Sequence, residues 1–357
     1  MNPADPIRIG IVGCGAIAQV HHLPNLTTLK DLFEIRVVCD LSSSLAETIA
    51  SDFHVPRHVT DYREVLAADI DAVLLCHGDP KTEIGLVALE AGKHLFIEKP
   101  VCFTLSDADA MIAAANLSGV VTQAGYMKAY DPAFELLKSE VSSMVPVRFI
   151  QVNHLHTNND HHLAHFGVKK FDDGPNTTNN DRARDVLEAL GENIPDEVHK
   201  AFFVLAGSMI HDLYGIRLLF GQPDRIVNTE IWNGGLGITT ILEYRSGARC
   251  SATWVELSGI KEFVETLEVY SDDRGVKLSY PTGFSRGIPS TLEIRGVDDY
   301  GRSFRQQPFV DWESPFVREL RHFHKCITQG AECRTSLASA RYDVALVIDI
   351  VKKYLDR

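Results

Sequence analysis

Positive charge is in deficit along this chain. Acidic residues outnumber basic ones by 48 to 35, which gives a formal net charge of −13 at pH 7. A surface with this balance repels the phosphate backbone of nucleic acids. We therefore expect no nucleic-acid partner.

Long apolar runs and clustered cysteines are also missing. No apolar run approaches the ~20 residues of a membrane-spanning helix, and no basic stretch followed by an apolar core opens the chain. The seven cysteines are scattered, and several lie in apolar runs, as Cys39 and Cys76 do. Buried free thiols of this kind are typical of a reducing compartment. The sequence predicts a cytoplasmic protein with no membrane partner.

The most informative segment is the first twenty residues. An apolar run at 7–12 predicts a buried strand, and residues 13–18 follow with the sequence GCGAIA. Gly13 suits a tight turn, Gly15 lets the backbone approach a pyrophosphate, and Ala18 lets the next helix pack closely on its strand. The N–H groups at the start of that helix would hold phosphate charge. The predicted cofactor contacts in this turn are Gly13, Gly15, Ala16 and Ile17.

An acidic residue follows where a dinucleotide site needs one. A second strand-like run at 33–39 ends in Asp40, near the position about 20 residues on at which a carboxylate accepts hydrogen bonds from the adenosine ribose. No arginine occurs in residues 41–43 to bind a 2′-phosphate. We therefore expect NAD, with NADP disfavoured. An alternative that stays open is that Asp40 caps the helix predicted to begin near Ser43.

Two domains are expected, because 357 residues exceed one typical core. In the first third, strands alternate with helices, which predicts a Rossmann-type, doubly wound parallel sheet over residues 1–127. Later strands separated by short turns predict an α+β domain with a large, mostly antiparallel open sheet over 128–357. The last helix of that domain could pack back on the first one. The carboxyl ends of the parallel strands would form one rim with Gly13, Asp40, Cys76, Glu98 and Gln123.

Four stretches carry a more specific pattern. They are GIVGCGAIA at 10–18, ALEAGKHLFIEKP at 88–100, AGYMKAYDPAF at 124–134 and IHDLYGIRLLFG at 210–221. Together they resemble the Gfo/Idh/MocA family, the glucose-fructose oxidoreductase and inositol dehydrogenase type, over essentially the whole chain.

The resemblance implies a function and a mode of assembly. It implies an NAD(P)-dependent oxidoreductase that oxidises a secondary hydroxyl of a sugar, cyclitol or glycoside, or reduces the corresponding ketone. It also implies a homodimer or homotetramer, assembled through the open face of the C-terminal sheet.

Two residues are predicted to be catalytic. Hydride leaves a carbinol carbon as the hydroxyl proton is removed, so a base must touch that oxygen. Lys99 ends a predicted strand, and Pro100 restricts it to an extended conformation that can aim the side chain into the crevice. His211 matches the family's His-Asp step, and the ordinary pKa of a histidine, about 6.5, suits proton exchange. The alternatives are a solvated lysine and a core histidine.

Further contacts are predicted around this pair. Glu98 should orient the cofactor side of the turn, and Gln123 ends the last strand of the rim. The family's T-P-N-x-x-H stretch reads CHGDPK here, so Cys76 and His77 could approach the nicotinamide ribose. An alternative is that His77 caps the next helix. The predicted substrate contacts are Tyr126, Lys128, His156, His165 and Asp212. The alternatives are packing at the domain junction for Tyr126 and Lys128, solvated surface for the two histidines, and a structural role for Asp212.

Two departures from the family pattern stand out. Family members carry an aspartate four residues before the histidine, where this chain has Gly207, so the Lys-Asp-His trio is incomplete. We expect substrate or the nearby loop to fill that space. The loop itself, at 154–165, is rich in histidine and asparagine, which suits sugar hydroxyls. It lacks the glutamate of a metalloprotease helix, and we expect no metal.

Two other functions remain open from the sequence. In the first, a retained NAD is reduced and reoxidised while a glycosidic substituent is eliminated. In the second, the chain is a non-catalytic regulator that senses a sugar or NAD. The missing aspartate at Gly207 favours the regulator, whereas the presence of Lys99 and His211 counts against it.

Overall fold

The computed structural model describes residues 5–174 and 180–356, and contacts divide the chain into two compact units. Unit 1 takes the described residues of 1–126, 163–189 and 316–344, and unit 2 takes 127–162, 190–315 and 345–356. The first break lies one residue before the domain boundary predicted after residue 127. Two later segments rejoin the first unit. The segment 316–344 includes the start of the last helix, which the sequence analysis expected could pack back on the first domain, whereas the segment 163–189 was not predicted to do so.

Unit 1 contains a parallel sheet of six strands in the order β3-β2-β1-β4-β5-β6. The chain order reverses between β1 and β4, and ligands of such sheets bind at the carboxyl ends beside this point. The fold class predicted for the first domain is confirmed. The strands are β1 (Ile7–Val12), β2 (Phe33–Cys39), β3 (His58–Val59), β4 (Ala72–Leu75), β5 (His94–Glu98) and β6 (Thr122–Gly125).

Some helices of unit 1 begin at residues whose side chains cap them. The Ser42 hydroxyl accepts the N–H of Leu45, and the Thr104 hydroxyl accepts the N–H of Asp107, which satisfies donors that helix starts leave unpaired. A π-helical segment, Ala18–His22, precedes the first α-helix. The α-helices are α1 (Leu23–Thr28), α2 (Ser43–Asp52), α3 (Tyr62–Leu66), α4 (Thr82–Glu90) and α5 (Leu105–Ser118).

A helix from near the end of the chain completes the core of unit 1. This helix, Pro315–Gln329, buries Leu320 and Phe323 in the same apolar cluster as Ile7 and Phe96. The Phe323 and Phe96 rings meet edge to face with centroids 5.6 Å apart. The sequence analysis did not find this helix, although charged residues alternate with its apolar face.

Unit 2 is built on eight strands in the order β14-β13-β12-β11-β7-β10-β9-β8. One pair, β7 with β10, is parallel, and the other pairs are antiparallel. The prediction of a large, mostly antiparallel sheet is confirmed. The strands are β7 (Phe149–His156), β8 (Arg225–Trp232), β9 (Gly237–Glu243), β10 (Arg249–Glu256), β11 (Val264–Tyr270), β12 (Arg274–Tyr280), β13 (Thr291–Val297) and β14 (Ser303–Gln306).

The remaining helices lie after residue 131. The last of them, Leu337–Leu355, has residues in both units. In chain order the α-helices are α6 (Pro132–Ser142), α7 (Asp160–Leu163), α8 (Asn180–Leu190), α9 (Asp196–Val204), α10 (Ile210–Phe220), α11 (Pro315–Gln329) and α12 (Leu337–Leu355).

One helical stretch bears on the expectation that the chain does not cross a membrane. Asp196–Phe220 runs for 25 residues and contains an apolar window with a mean hydropathy of 1.3, so by length and composition it could cross a membrane. Polar residues such as Lys200 and Asp212 interrupt its apolar run. In the structure, 56% of its apolar window is buried within the protein, a property that the core helices of globular proteins share.

The packing of α11 yields a stability prediction. Phe323→Ala should lower the free energy of unfolding by about 3–5 kcal/mol, because a fully buried ring leaves a cavity in a packed core. Leu117→Ala is the matched control, since that side chain is 90% exposed, and it should stay within about 0.5 kcal/mol of the wild type. Urea unfolding measures both. Equal effects of the two substitutions would contradict the packing described for α11.

Candidate active site

The glycine turn after β1 has the geometry that a dinucleotide requires. Gly13 has a φ of +94°, and a Cβ there would lie 2.3 Å from the backbone nitrogen of His77, so glycine alone fits. Gly15 is exposed, and no described heavy atom lies within 4 Å of the position its Cβ would take. Ala16 and Ile17 begin the helix and are partly exposed. The turn therefore offers open space in front of helical N–H groups, which fits a pyrophosphate.

Asp40 lies beside this turn. One carboxylate oxygen accepts the N–H of Cys14 at 2.8 Å, and the other accepts the N–H of Ser42 at 3.0 Å. Ser42, and not Asp40, caps α2, so the helix-cap alternative for Asp40 is wrong. The carboxylate is fixed next to the glycine turn, where a ribose hydroxyl could donate to it. These residues fit the adenosine half of NAD.

The end of β4 contributes a cysteine, a histidine and a lysine. Cys76 is buried, and burial raises the pKa of its thiol well above the ordinary value. Burial, aided by the charge of Lys81, lowers the pKa of His77 to about 4, so this imidazole is neutral at pH 7. Lys81 is the residue directly before α4, and its side chain accepts no hydrogen bond from the first turn of that helix. His77 therefore does not cap α4, and that alternative is wrong.

The turn that carries Lys99 rests on a buried polar cluster. Glu98 is 4% exposed; its carboxylate contacts Nε2 of His22 at 2.7 Å and accepts the N–H of Lys99 at 3.2 Å. Burial alone would raise the pKa of Glu98, but the hydrogen bond and charge of His22 outweigh it and lower the pKa below its usual range. Lys81 donates to the carbonyl of Pro100 at 3.3 Å from the other side. The backbone around Lys99 is therefore held at both ends.

Glu319, on α11, completes this cluster. Ligand atoms of His22, Glu98 and Glu319 lie within 4.8 Å of one another, and all three side chains are buried. Burial, followed by the charge of Glu98, raises the pKa of Glu319 well above its usual range. The two shifts have opposite directions, so the negative charge of the cluster is favoured on Glu98 and the proton on Glu319.

Two predicted contacts of unit 1 are buried. Gln123 has no exposed surface, and its side-chain amide donates to the carbonyl of Glu319 at 2.9 Å and accepts from the Cys333 thiol. The amide is thus bonded within the protein, and the role of Gln123 at the cofactor stays a prediction. Tyr126 is 1% exposed, and its role at the substrate stays a prediction.

In unit 2, His211 lies just after a π-helical segment, Leu205–Met209. Such segments are frequent at functional sites. Nδ1 of His211 lies 2.9 Å from the Tyr214 hydroxyl, which also accepts the N–H of Lys128 at 3.1 Å. The imidazole is thus oriented through Tyr214, and not through the neighbouring Asp212.

Unit 2 also contains a cluster of four buried titratable side chains. The ammonium of Lys128 bonds the carboxylate of Glu265, and Nδ1 of His154 lies 2.8 Å from Asp212 and 3.8 Å from Glu265. All four side chains are no more than 5% exposed. Burial raises the pKa of Glu265, whereas for Asp212 the charge of His154 overcomes burial and the pKa is lowered. Lys128 and Asp212 stay predicted substrate contacts, although both have partners inside the protein.

The residues of the histidine- and asparagine-rich loop are divided between the two units: those up to His162 belong to unit 2, and those from Leu163 belong to unit 1. His156 belongs to unit 2, where its ring stacks on Trp254 with centroids 5.3 Å apart. His165 belongs to unit 1 and is exposed. Both stay predictions as substrate contacts. Among the described residues, the clusters with three potential metal ligands do not include His161, His162 or His165.

Gly207 lies inside the π-helical segment. In unit 2, no described heavy atom beyond its chain neighbours and helix backbone lies within 4 Å of where its Cβ would be. Within unit 2 this space is open, at the position where the resemblance implies an aspartate. Filling by substrate therefore stays a prediction.

Sequence reasoning missed several residues that hold the site: His22, Lys81, His154, Glu265 and Glu319. Except for Lys81, which precedes α4, each is a titratable residue inside a helix or strand, and this is the signal that could have found them. The partners of His22, His154 and Glu265 lie far away along the chain, so no spacing pattern reveals these pairs.

Comparisons with known proteins agree with this geometry. The profile of an oxidoreductase family with an NAD-binding Rossmann fold, Gfo/Idh/MocA, matches residues 7–126. An inositol 2-dehydrogenase/D-chiro-inositol 3-dehydrogenase from Halalkalibacterium halodurans is 30% identical over 97% of this chain and 90% of that protein. Matches to several other curated relatives span 40 to 45% of their length.

Solved structures share the fold of the whole chain. A levoglucosan dehydrogenase in complex with NADH and levoglucosan superposes with a TM-score of 0.74 at 18% identity, covering 97% of this chain and 96% of that one. A 3-ketoreductase from Actinomadura kijaniata, in complex with NADP, gives a TM-score of 0.68 at 18% identity and 96% coverage of both chains. From the full-length match, the chain belongs to the Gfo/Idh/MocA family of oxidoreductases.

Proposed function

We propose that this protein is an NAD-dependent dehydrogenase that oxidises a secondary hydroxyl of a sugar or cyclitol, or reduces the corresponding ketone. The observation that carries the proposal is the turn after β5, where buried Glu98 fixes Lys99 at the carboxyl edge of the sheet that bears the glycine turn. The full-length relative that acts on inositols supports the substrate class.

The preference for NAD rests on Asp40. Its carboxylate stands beside the glycine turn, where it can accept ribose hydroxyls, and residues 41–43 contain no arginine. When bound, NAD supplies the acceptor for the hydride at nicotinamide C4. Gly13, Gly15 and the helix that follows would hold the pyrophosphate.

Proton transfer falls to Lys99 and His211 in this proposal. The side chain of Lys99 leaves a backbone that Glu98 and Lys81 hold, so its reach is set by a rigid turn. Tyr214 contacts the imidazole of His211 at Nδ1 and so orients the ring. Either group can take the proton of a hydroxyl or return it to a ketone.

Substitution of Lys99 tests this assignment. With myo-inositol and levoglucosan as probe substrates, Lys99→Ala should lower kcat by about 10²–10⁴-fold, the usual contribution of a positioned acid or base. Formation of NADH, followed by its absorbance, is the measurement. Exposed Lys30→Ala is the control and should keep wild-type turnover.

The outcome also separates the other functions. Normal turnover by Lys99→Ala would contradict the role given to that residue. Release of a leaving group without net NADH would favour elimination with a retained cofactor. NAD binding without turnover of any probe would favour a sensor.

The neutral state of Glu319 gives a pH prediction. Because burial raises its pKa, the folded protein keeps this proton, whereas the unfolded chain releases it above the ordinary pKa of a carboxyl group. Stability from this group is therefore full at low pH and declines as the pH rises. Glu319→Gln removes the titration, so the Tm difference between variant and wild type should grow from pH 5 to pH 8.

The control for this measurement is Glu332→Gln, an exposed position beyond the same helix. Its Tm difference from the wild type should not change with pH. A Glu319→Gln difference that is also constant over this range would show that Glu319 is ionised in the folded protein, against the cluster described above.

A further inference from the structure

The segment at 163–174 lies against the nucleotide-binding half of unit 1. The Gln19 amide joins its backbone twice: Nε2 donates to the carbonyl of Lys169 at 3.0 Å, and Oε1 accepts the N–H of Lys169 at 2.8 Å. The same Nε2 donates to the carbonyl of Cys14 in the glycine turn. The ammonium of Lys169 pairs with Asp52 at the end of α2. These contacts anchor the segment beside the turn that would hold the pyrophosphate.

Asp173, in this segment, contacts the start of α2. Its carboxylate accepts the hydroxyl of Ser42 and, at 2.9 Å, the N–H of Ser44. Ser42 also accepts the N–H of Leu45 as the helix cap, so its hydroxyl proton is directed to Asp173. The hydrogen bonds from Ser42 and Ser44 lower the pKa of Asp173 to about 2, so the carboxylate is ionised at pH 7.

The position of these donors matters for cofactor choice. Ser42 and Ser44 lie just beyond Asp40, whose carboxylate would accept the ribose hydroxyls. A phosphate on the 2′-oxygen would carry between −1.5 and −2 charges and would need donors or cations at this place. The N–H groups of a first helical turn and a serine hydroxyl are suitable donors for such a group. In this protein a carboxylate already occupies both.

We propose that Asp173 excludes the 2′-phosphate and thereby selects NAD over NADP. The carboxylate of Asp173 acts in two ways. It accepts hydrogen bonds from the Ser42 hydroxyl and the Ser44 N–H, so that these donors are not available to a phosphate, and it adds a negative charge that repels the phosphate. The proposal rests on the NAD-dependent function above and names a specificity-determining residue outside the glycine fingerprint and outside the strand that ends at Asp40.

Binding of the two reduced dinucleotides tests this without a substrate. Titration of NADH and NADPH, followed by nicotinamide fluorescence, gives the ratio of their Kd values for the wild type and each variant. Asp173→Ala frees the donors and removes the charge, so the ratio of the NADPH Kd to the NADH Kd should fall at least about tenfold. Asp173→Asn removes the charge and keeps an acceptor, so its ratio should lie between those of the wild type and Asp173→Ala.

The matched control is Lys169→Ala. It breaks the ion pair with Asp52 in the same segment and leaves the carboxylate of Asp173 in place, so the ratio should stay within about threefold of the wild type. A ratio for Asp173→Ala within about threefold of the wild type would overturn the proposal, as would an equal fall for Lys169→Ala. Absence of binding of either dinucleotide to the wild type would instead overturn the proposed function.

Discussion

The buried carboxylate of Glu98 is the constraint on which the candidate site depends. A carboxylate removed from water costs several kcal/mol unless partners replace its hydration. Here the partners are the imidazole of His22 and the N–H of Lys99. Because the carboxylate needs both, the turn after β5 cannot shift without exposing an unpaired charge. The position of Lys99 is therefore set by the electrostatics of the core.

This constraint explains why α11 belongs to the nucleotide-binding unit. Glu319 brings a second carboxyl group to the cluster, and two buried carboxylates within 4.8 Å of each other would repel strongly. The raised pKa of Glu319 favours its neutral form, which removes the repulsion between the two carboxylates. The buried carboxyl group still loses its contact with water. The helix also buries Leu320 and Phe323 against the sheet, so apolar packing offsets what the polar residue loses. Stability and the shape of the site are thus supplied by the same helix.

The sequence predicted the elements that follow local rules. The apolar run of β1, the glycine turn and Asp40 obey fixed spacing, and the structure places the carboxylate of Asp40 on the N–H of Cys14 in that turn. The pairs His22–Glu98 and Lys128–Glu265 could not be predicted, because their members lie 76 and 137 residues apart. Such partners are chosen by tertiary packing, for which a single sequence has no periodic signal.

The second unit also buries carboxylates, and here lysine and histidine side chains are their partners. Lys128 and His154 place nitrogen atoms beside the carboxylates of Glu265 and Asp212, and the four side chains are buried together. Replacing a buried ion pair with apolar residues is often neutral or stabilising, so stability alone does not account for this cluster. The cluster does explain why the surroundings of His211 are held rigidly, because the N–H of Lys128 donates to the Tyr214 hydroxyl and that hydroxyl contacts Nδ1 of His211. In each unit, then, buried polar side chains hold the surroundings of the predicted catalytic group. Glu98 accepts the backbone N–H of Lys99, and Tyr214 joins the Lys128 backbone to His211, while Lys99 and His211 themselves stay partly exposed.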